Sequence, residues 1–398
     1  MRNVLIAWEI GGNLGHLGRL LPIATELIAS GYRVTFAVPE GAQARQWLQE
    51  RNWSVVDIPA CVNRSNSTQV ASCHADWFLQ TGFGDIPATV NRLALWAKQM
   101  SELKPDLILL DYAPFVTYAA HALSIDYFVL GTGFCVPPQF DKPTYFRPWD
   151  NAACKTADER HQKLVDSFAK LRTNFAGDGA LSFADLFGPS RIKMCTYAEL
   201  DHFPNRGDIT AYFGATWSDF GDDQSVEFSD RSSDKALCYF NGGEQIYIAT
   251  LRVLRKLNFE VIVIAPKLRA EAVAALSEQN LKILTKPMNL EKLFSRADLL
   301  VSHGGLGFAA RAIALKKKLF LLPMYAEQLL LARRLVDQGL AGASLEFNDP
   351  TSLSRRIQSL AIDSSSGARA LRVAELVGYK TAAQSAQVIV KSLAMGSH

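Results

Sequence analysis

The run Ser302-His303-Gly304-Gly305-Leu306-Gly307 combines an imidazole with three glycines, and Glu327-Gln328 follow in the next strand–helix unit. The apolar run Asp298-Leu299-Leu300-Val301 precedes it and reads as a buried strand, while the alanine-rich run from Phe308 to Leu315 reads as a helix. Glycines at a strand-to-helix turn let backbone N–H groups approach an anion. The helix N-terminus adds about half a positive charge there. Residues of these types at this spacing can hold a diphosphate; the plainer alternative is a tight turn.

Such a loop needs a sheet behind it. The chain opens with a strand expected at about 3–10, a helix at about 17–30, and strands at 32–38 and 53–58. A buried strand, Asp106 to Leu110, ends at Asp111, and a helix at about 114–124 and a strand at 127–130 follow. The same alternation restarts at Ala236 and runs through strands at 261–265, 281–284, 299–301 and 319–322. Apolar strands alternating with amphipathic helices imply parallel sheets covered on both faces. The expected fold class is α/β: two facing Rossmann-like, doubly wound domains with a cleft between them. The expected boundaries are 1–214, a linker rich in Asp, Ser and Gly at 215–234, a second domain at 235–378, and a helical segment at 379–398 that packs back on the first domain or elsewhere. In open α/β sheets ligands bind at the carboxyl ends of the strands. The loops around His16 and His303 both fall at such ends.

Composition narrows the classes. The 398 residues suffice for two domains, with 48 % hydrophobic and 20 % charged residues, as in soluble globular proteins. A net charge of +3 does not indicate nucleic acid as a partner. The six cysteines (Cys61, Cys73, Cys135, Cys154, Cys195, Cys238) form no CxxC pair, which suits a reducing cytoplasm better than a zinc site or a disulfide framework. No segment reaches the roughly 20 apolar residues of a membrane span. The reading is a soluble, cytosolic protein of unknown oligomeric state.

At three places the chain resembles the family-1 glycosyltransferases of GT-B fold, which use nucleotide-diphosphate sugars. Gly15-His16 with Arg19-Leu20-Leu21-Pro22-Ile23-Ala24 is similar to the family's first loop and helix. Asp111 after Pro105-Asp106-Leu107-Ile108-Leu109-Leu110 matches its acidic partner. The run from His303-Gly304-Gly305 through Gly307 and Pro323 to Glu327-Gln328 is similar to the donor signature. The resemblance implies His16 as general base oriented by Asp111, and an inverting transfer to a hydroxyl. It implies a diphosphate held by His303, by the N–H groups of Gly304, Gly305 and Gly307, and by the helix dipole. Glu327 and Gln328 would meet sugar hydroxyls, and Gly242-Gly243 offers a second glycine turn near the donor. No Asp-x-Asp string occurs, so neither metal nor cofactor is expected beyond the nucleotide sugar as co-substrate. Trp77, Phe83, Phe134, Phe140 and Phe146, interleaved with prolines in the latter stretch, suggest a small hydrophobic acceptor.

Several positions depart from the family pattern. Phe308 stands where a small hydroxyl residue commonly meets phosphate, and Arg311 where a Glu commonly holds the ribose. Thr285-Lys286 stand where an aromatic commonly stacks on the base, and Glu327 replaces the usual Asp. Arg311 could instead pair with phosphate, and Lys286 lies at the same donor edge. Plainer readings stand beside these: Asp111 as the N-cap of a helix at 113–122, the aromatic segment as a cover for the core, and Lys316-Lys317-Lys318 as a solvated turn. Two other functions compete with transfer. One is a non-catalytic GT-B helper or ligand-binding protein with a degenerate donor site; the other, a weaker fit, is a nucleotide-sugar epimerase.

Overall fold

Apolar runs of four to six residues, each followed by a polar or glycine-bearing turn, become parallel strands whose carboxyl ends carry the polar loops. The structure, a computed structural model, describes residues 2–10, 14–39, 43–58, 71–175, 178–204, 206, 212–220, 226–230, 233–241, 244–268, 281–286, 288–344, 350–362, 369–370, 372–373, 375 and 380–395. The chain folds as two compact units. One comprises Met1–Tyr197, Phe203–Trp217 and Thr381–His398; the other comprises Ala198–His202 and Ser218–Lys380.

The first unit runs β1 (Asn3–Ala7), α1 (Leu14–Ala29), β2 (Arg33–Val38), α2 (Gln43–Glu50), β3 (Ser54–Asp57), α3 (His74–Phe78), α4 (Ile86–Leu103), β4 (Leu107–Leu110), α5 (Pro114–Ala122), β5 (Tyr127–Gly131), α6 (Asn151–Asn174), α7 (Phe183–Phe187) and β6 (Ile192–Met194). Its six strands are parallel in the order β3-β2-β1-β4-β5-β6. The order reverses direction at β1, beside β4, so the loops after these two strands flank the switch point of the sheet. The core is aromatic: Phe78, Phe83, Phe115, Tyr118, Phe168 and Phe183 are buried in one cluster. A helix late in the chain, Ala382–Met395, packs along α1 and buries Ile389, Val390 and Leu393.

The second unit runs β7 (Lys235–Tyr239), α8 (Glu244–Lys256), β8 (Glu260–Ile264), β9 (Leu281–Leu284), α9 (Glu291–Arg296), β10 (Leu299–Ser302), α10 (Leu306–Ala314), β11 (Lys318–Leu321), α11 (Ala326–Asp337), β12 (Gly342–Ala343) and α12 (Pro350–Ile362). Its strands are also all parallel, in the order β12-β11-β10-β7-β8-β9. An aliphatic core including Val261, Val263, Leu299, Val301, Leu322 and Ile357 lies under its helices. Among the described residues, no helix is long and apolar enough to cross a membrane.

The expected α/β class with two doubly wound sheets is borne out. Four strands, β1, β3, β8 and β11, stop sooner than the apolar runs suggested, because a strand ends with its ladder whereas hydrophobicity continues into buried turns; β5 and β10 run one residue further than expected. Trp8 is fully buried yet lies beyond β1. Two edge strands, β6 and β12, have no counterpart in the sequence reading, nor does the long α6. Three- and two-residue strands leave no periodic signal.

Candidate active site

In the first unit, α1 begins at Leu14, so His16 sits in its first turn, and Asp111 comes directly after β4. The backbone N–H of Asp111 donates to Ala7 O at 2.9 Å, extending the β1–β4 ladder and fixing the side chain beside α1. His16 Nδ1 lies 3.0 Å from Asp111 Oδ2. Arg19, one helical turn after His16, donates from Nη2 to both Asp111 oxygens at 2.6 Å, and this nitrogen is 3.1 Å from His16 Nδ1. The Asp111 side chain is fully buried, while His16 is 21 % exposed. Burial alone would push the Asp111 carboxyl up, but Arg19 and then His16 outweigh it and hold it below the usual carboxylate range.

The imidazole is enclosed edge and face. Trp8 stacks on it at 4.9 Å between centroids and Tyr112 at 6.1 Å, with interplanar angles of 20° and 12°. Tyr112 reaches this place from a left-handed backbone (φ 56°), which turns the chain sharply after Asp111. The helix-cap alternative for Asp111 is overturned. The N-cap of α5 is Ala113, and its first-turn N–H at Phe115 donates to Glu9 Oε2 at 2.7 Å. Glu9 Oε1 also accepts from Trp96 Nε1 at 2.9 Å, and burial raises its carboxyl to about 7 despite these donors.

The aromatic residues divide into two sets. Trp77 meets Tyr112 edge-on at 4.8 Å, Phe134 at 4.9 Å and Phe146 at 5.3 Å, so a continuous, largely buried aromatic cluster leads away from the His16 region, with Phe146 fully enclosed in it. His74 stands behind it, its Nε2 at 3.0 Å from Phe134 O; burial, and then the Arg206 charge, lower its pKa to about 3. Phe83 is enclosed by Phe78, Phe115 and Phe168 and belongs to the core, and Phe140 packs against that same core half-buried.

In the second unit, His303 follows β10 and is buried. Its Nδ1 is 3.0 Å from Leu322 O, past β11, and its Nε2 accepts from Asn241 N–H at 3.2 Å, past β7. A carbonyl only accepts and a backbone N–H only donates, so the ring is neutral with its hydrogen on Nδ1. His303 thus ties three strand ends together with both ring nitrogens. Gly304 adopts φ +94°, open to glycine alone at little strain, and its N–H donates to Ser302 Oγ at 3.2 Å. Gly305 is the N-cap of α10 and supplies no side-chain cap, so the opening N–H groups of that helix around Leu306 and Gly307 remain directed outward. This is the part of the loop suited to an anion.

The neighbouring residues are partly committed elsewhere. Arg311 Nη1 binds both Asp219 oxygens, at 2.9 and 2.8 Å, and its guanidinium lies 4.5 Å from the Phe294 ring. Phe308 packs at 4.7 Å on Phe294. Gln328 Oε1 accepts from Met324 N–H at 2.8 Å, which shapes the turn before α11; Glu327 stands beside it, half-buried. Lys286 is exposed just past β9. Gly242 and Gly243 lie outside the described residues. Sequence reasoning missed Arg19, Trp8 and Tyr112 as site residues. The three-residue offset from His16, which puts Arg19 on the same helix face, was the available signal for it.

No family model matches the sequence, and no curated protein matches it either. Solved structures do match in fold. The glycotransferase of kitacinnamycin superposes with a TM-score of 0.74 at 17 % identity, covering 98 % of this chain and 99 % of its own. The spinosyn rhamnosyltransferase SpnG gives 0.69 at 16 %, covering 99 % and 100 %. SpnG is also known in complex with thymidine diphosphate and with spinosyn aglycone. The calicheamicin glycosyltransferase CalG4 gives 0.69 at 17 %, covering 100 % and 99 %.

Proposed function

We propose that this chain, which has the GT-B fold of those glycosyltransferases, is itself an inverting glycosyltransferase. It moves a sugar from a nucleotide diphosphate to a hydroxyl of a small, largely apolar acceptor. The observation that carries the reading is the contact between His16 Nδ1 and the buried Asp111 carboxylate. A carboxylate accepts the Nδ1 hydrogen and leaves a lone pair on Nε2, the arrangement a general base needs. The acceptor O–H proton passes to Nε2 as its oxygen bonds to the anomeric carbon. The bond from that carbon to the diphosphate oxygen breaks on the opposite face, and the electron pair leaves with the diphosphate.

The leaving charge is assigned to the uncapped N-terminus of α10 at Gly305, Leu306 and Gly307, with Gly304 and His303 shaping the turn. With no Asp-x-Asp string in the chain, the reading involves no bridging metal. Tyr112, Trp77 and Phe134 are the proposed flank for the acceptor's apolar body, with Phe146 buried behind them. The SpnG complexes, with thymidine diphosphate and with an aglycone, are a precedent for such a substrate pair on this fold.

A second reading, a binding protein without transfer, draws on Arg311, whose charge is already taken by Asp219. Calorimetry with a panel of nucleoside diphosphates that includes UDP and dTDP separates the two, since transfer requires one of the panel to bind. The base assignment is tested with His16→Ala, which is expected to lower the transfer rate by roughly 10²–10⁴-fold while nucleotide affinity stays within about twofold. Retained activity would remove His16 from the mechanism.

A further inference from the structure

Three groups meet at Asp111. Oδ2 is 3.0 Å from His16 Nδ1 and 2.6 Å from Arg19 Nη2, and the two nitrogens are 3.1 Å apart. Two hydrogen arrangements fit these distances. Either Nδ1 carries a hydrogen that Oδ2 accepts, or Nδ1 accepts from Arg19 and the ring hydrogen sits on Nε2. The second sets two lone pairs, on Nδ1 and Oδ2, against each other at 3.0 Å. The first brings two donors to one anionic oxygen, an ordinary arrangement for a carboxylate. It requires Asp111 to be ionised, and for His16 to act as a base the ring must also be uncharged, since an imidazolium makes the same Nδ1 contact; these two demands conflict in a simple pair. A fully buried carboxylate with only an imidazole beside it draws a proton from solvent onto that imidazole, which makes the pair neutral overall, and an imidazolium has no lone pair with which to accept a proton.

Arg19 resolves the conflict. Its guanidinium is 11 % exposed and contacts both Asp111 oxygens, while its carbonyl accepts from Thr216 Oγ1 at 2.8 Å, which holds that turn of α1 in place. The geometry points to Arg19 as a positioning residue. It supplies the positive charge that Asp111 requires, so that His16 stays uncharged with its hydrogen on Nδ1 and its Nε2 lone pair free. Among the described residues, the other groups facing this cluster do not supply that charge. Trp8 and Tyr112 stack on the ring, Cys135 lies near Arg19, and Cys195 is kept as a thiol because burial pushes it up to about 12.

The consequence for catalysis rests on His16 being the base, but the decisive readout does not. Nitrogen-15 NMR of the full chain, with the His16 ring signals identified by their loss in His16→Gln, reports which ring nitrogens carry hydrogen. In the unmodified protein near neutral pH, we expect Nδ1 protonated and Nε2 bare. In Arg19→Gln both are expected to be protonated, and Arg19→Lys, which keeps the charge, should return the ring to the uncharged form. The rate in Arg19→Gln should fall about 10²-fold at neutral pH and recover as pH rises, with Arg19→Lys within about tenfold of the original. An imidazolium or an Nε2-protonated ring in the unmodified protein overturns the proposal, whether or not any variant folds. So does an unchanged ring in Arg19→Gln. Activity that survives His16→Ala removes the base reading and leaves the NMR result standing.

Discussion

Asp111 is accessible to no solvent and accepts from two side chains at once, so its replacement has consequences in two directions. Asp111→Asn keeps the volume but leaves the Arg19 guanidinium without its anion, which is expected to cost on the order of 3–5 kcal/mol in a urea titration. The carboxyl's folded-state pKa lies below its unfolded value. Its contribution is therefore complete above the ordinary carboxylate range and is lost as pH falls through that range and below. The Asn variant should show a flatter acid limb of stability than the unmodified chain. The strand-end placement of His16 and Asp111 was legible from the apolar runs before them, and their pairing from the resemblance to the family-1 glycosyltransferases. Arg19 was not, because its function depends on a carboxylate 92 positions away in sequence. Arg311 misled for the same reason in reverse. Its partner Asp219 lies in the stretch that composition marked only as linker.

At the scale of elements, the helix termini carry both the chemistry and the stability. Glu9 serves the N-terminus of α5, and its carboxyl is raised from the usual 4.5 to about 7, with burial as the cause. The folded chain thus holds a proton that the unfolded chain has already released between those values. Its stability should fall as pH rises through this window, by up to about 3 kcal/mol. Glu9→Gln is expected to abolish that slope, as read from melting curves across the window. The His303 turn gives a sharper contrast. Gly304→Ala forces a Cβ into the left-handed region and should cost about 1–2 kcal/mol, with weaker nucleotide binding. Gly305→Ala meets open space at φ −63° and should leave stability within about 0.5 kcal/mol. The apolar central strands and helices such as α1 and α5 were readable from period and composition, whereas α6 was not. β6 and β12 were not, because a short edge strand is specified by its neighbour rather than by its own residues.

For the whole molecule, the doubly wound grammar was legible twice over because parallel strands buried on both faces are uninterrupted apolar runs. The aromatic residues were legible as a group but not individually. Trp77 and Phe134 join the aromatic cluster beside Tyr112, while Phe83 fills the core, and only packing separates them. If the nucleotide site is as proposed, dTDP or UDP at about 100 times its dissociation constant should stabilise the chain by about 2.7 kcal/mol, visible as a rise in melting temperature. Removing residues 381–398 should destabilise the first unit by on the order of 5 kcal/mol, since Ile389, Val390 and Leu393 are all buried there.

That late helix also sets a timetable. It lies against α1, the helix that carries His16 and Arg19, yet all of Ser218–Lys380 is synthesised between the first unit's main body and this last piece. On the ribosome the second unit can therefore fold before the first is closed, and the apolar flank of α1 stays uncovered until residues 382–395 emerge. The order of synthesis thus leaves the helix bearing His16 without its late partner until Ser218–Lys380 has been made.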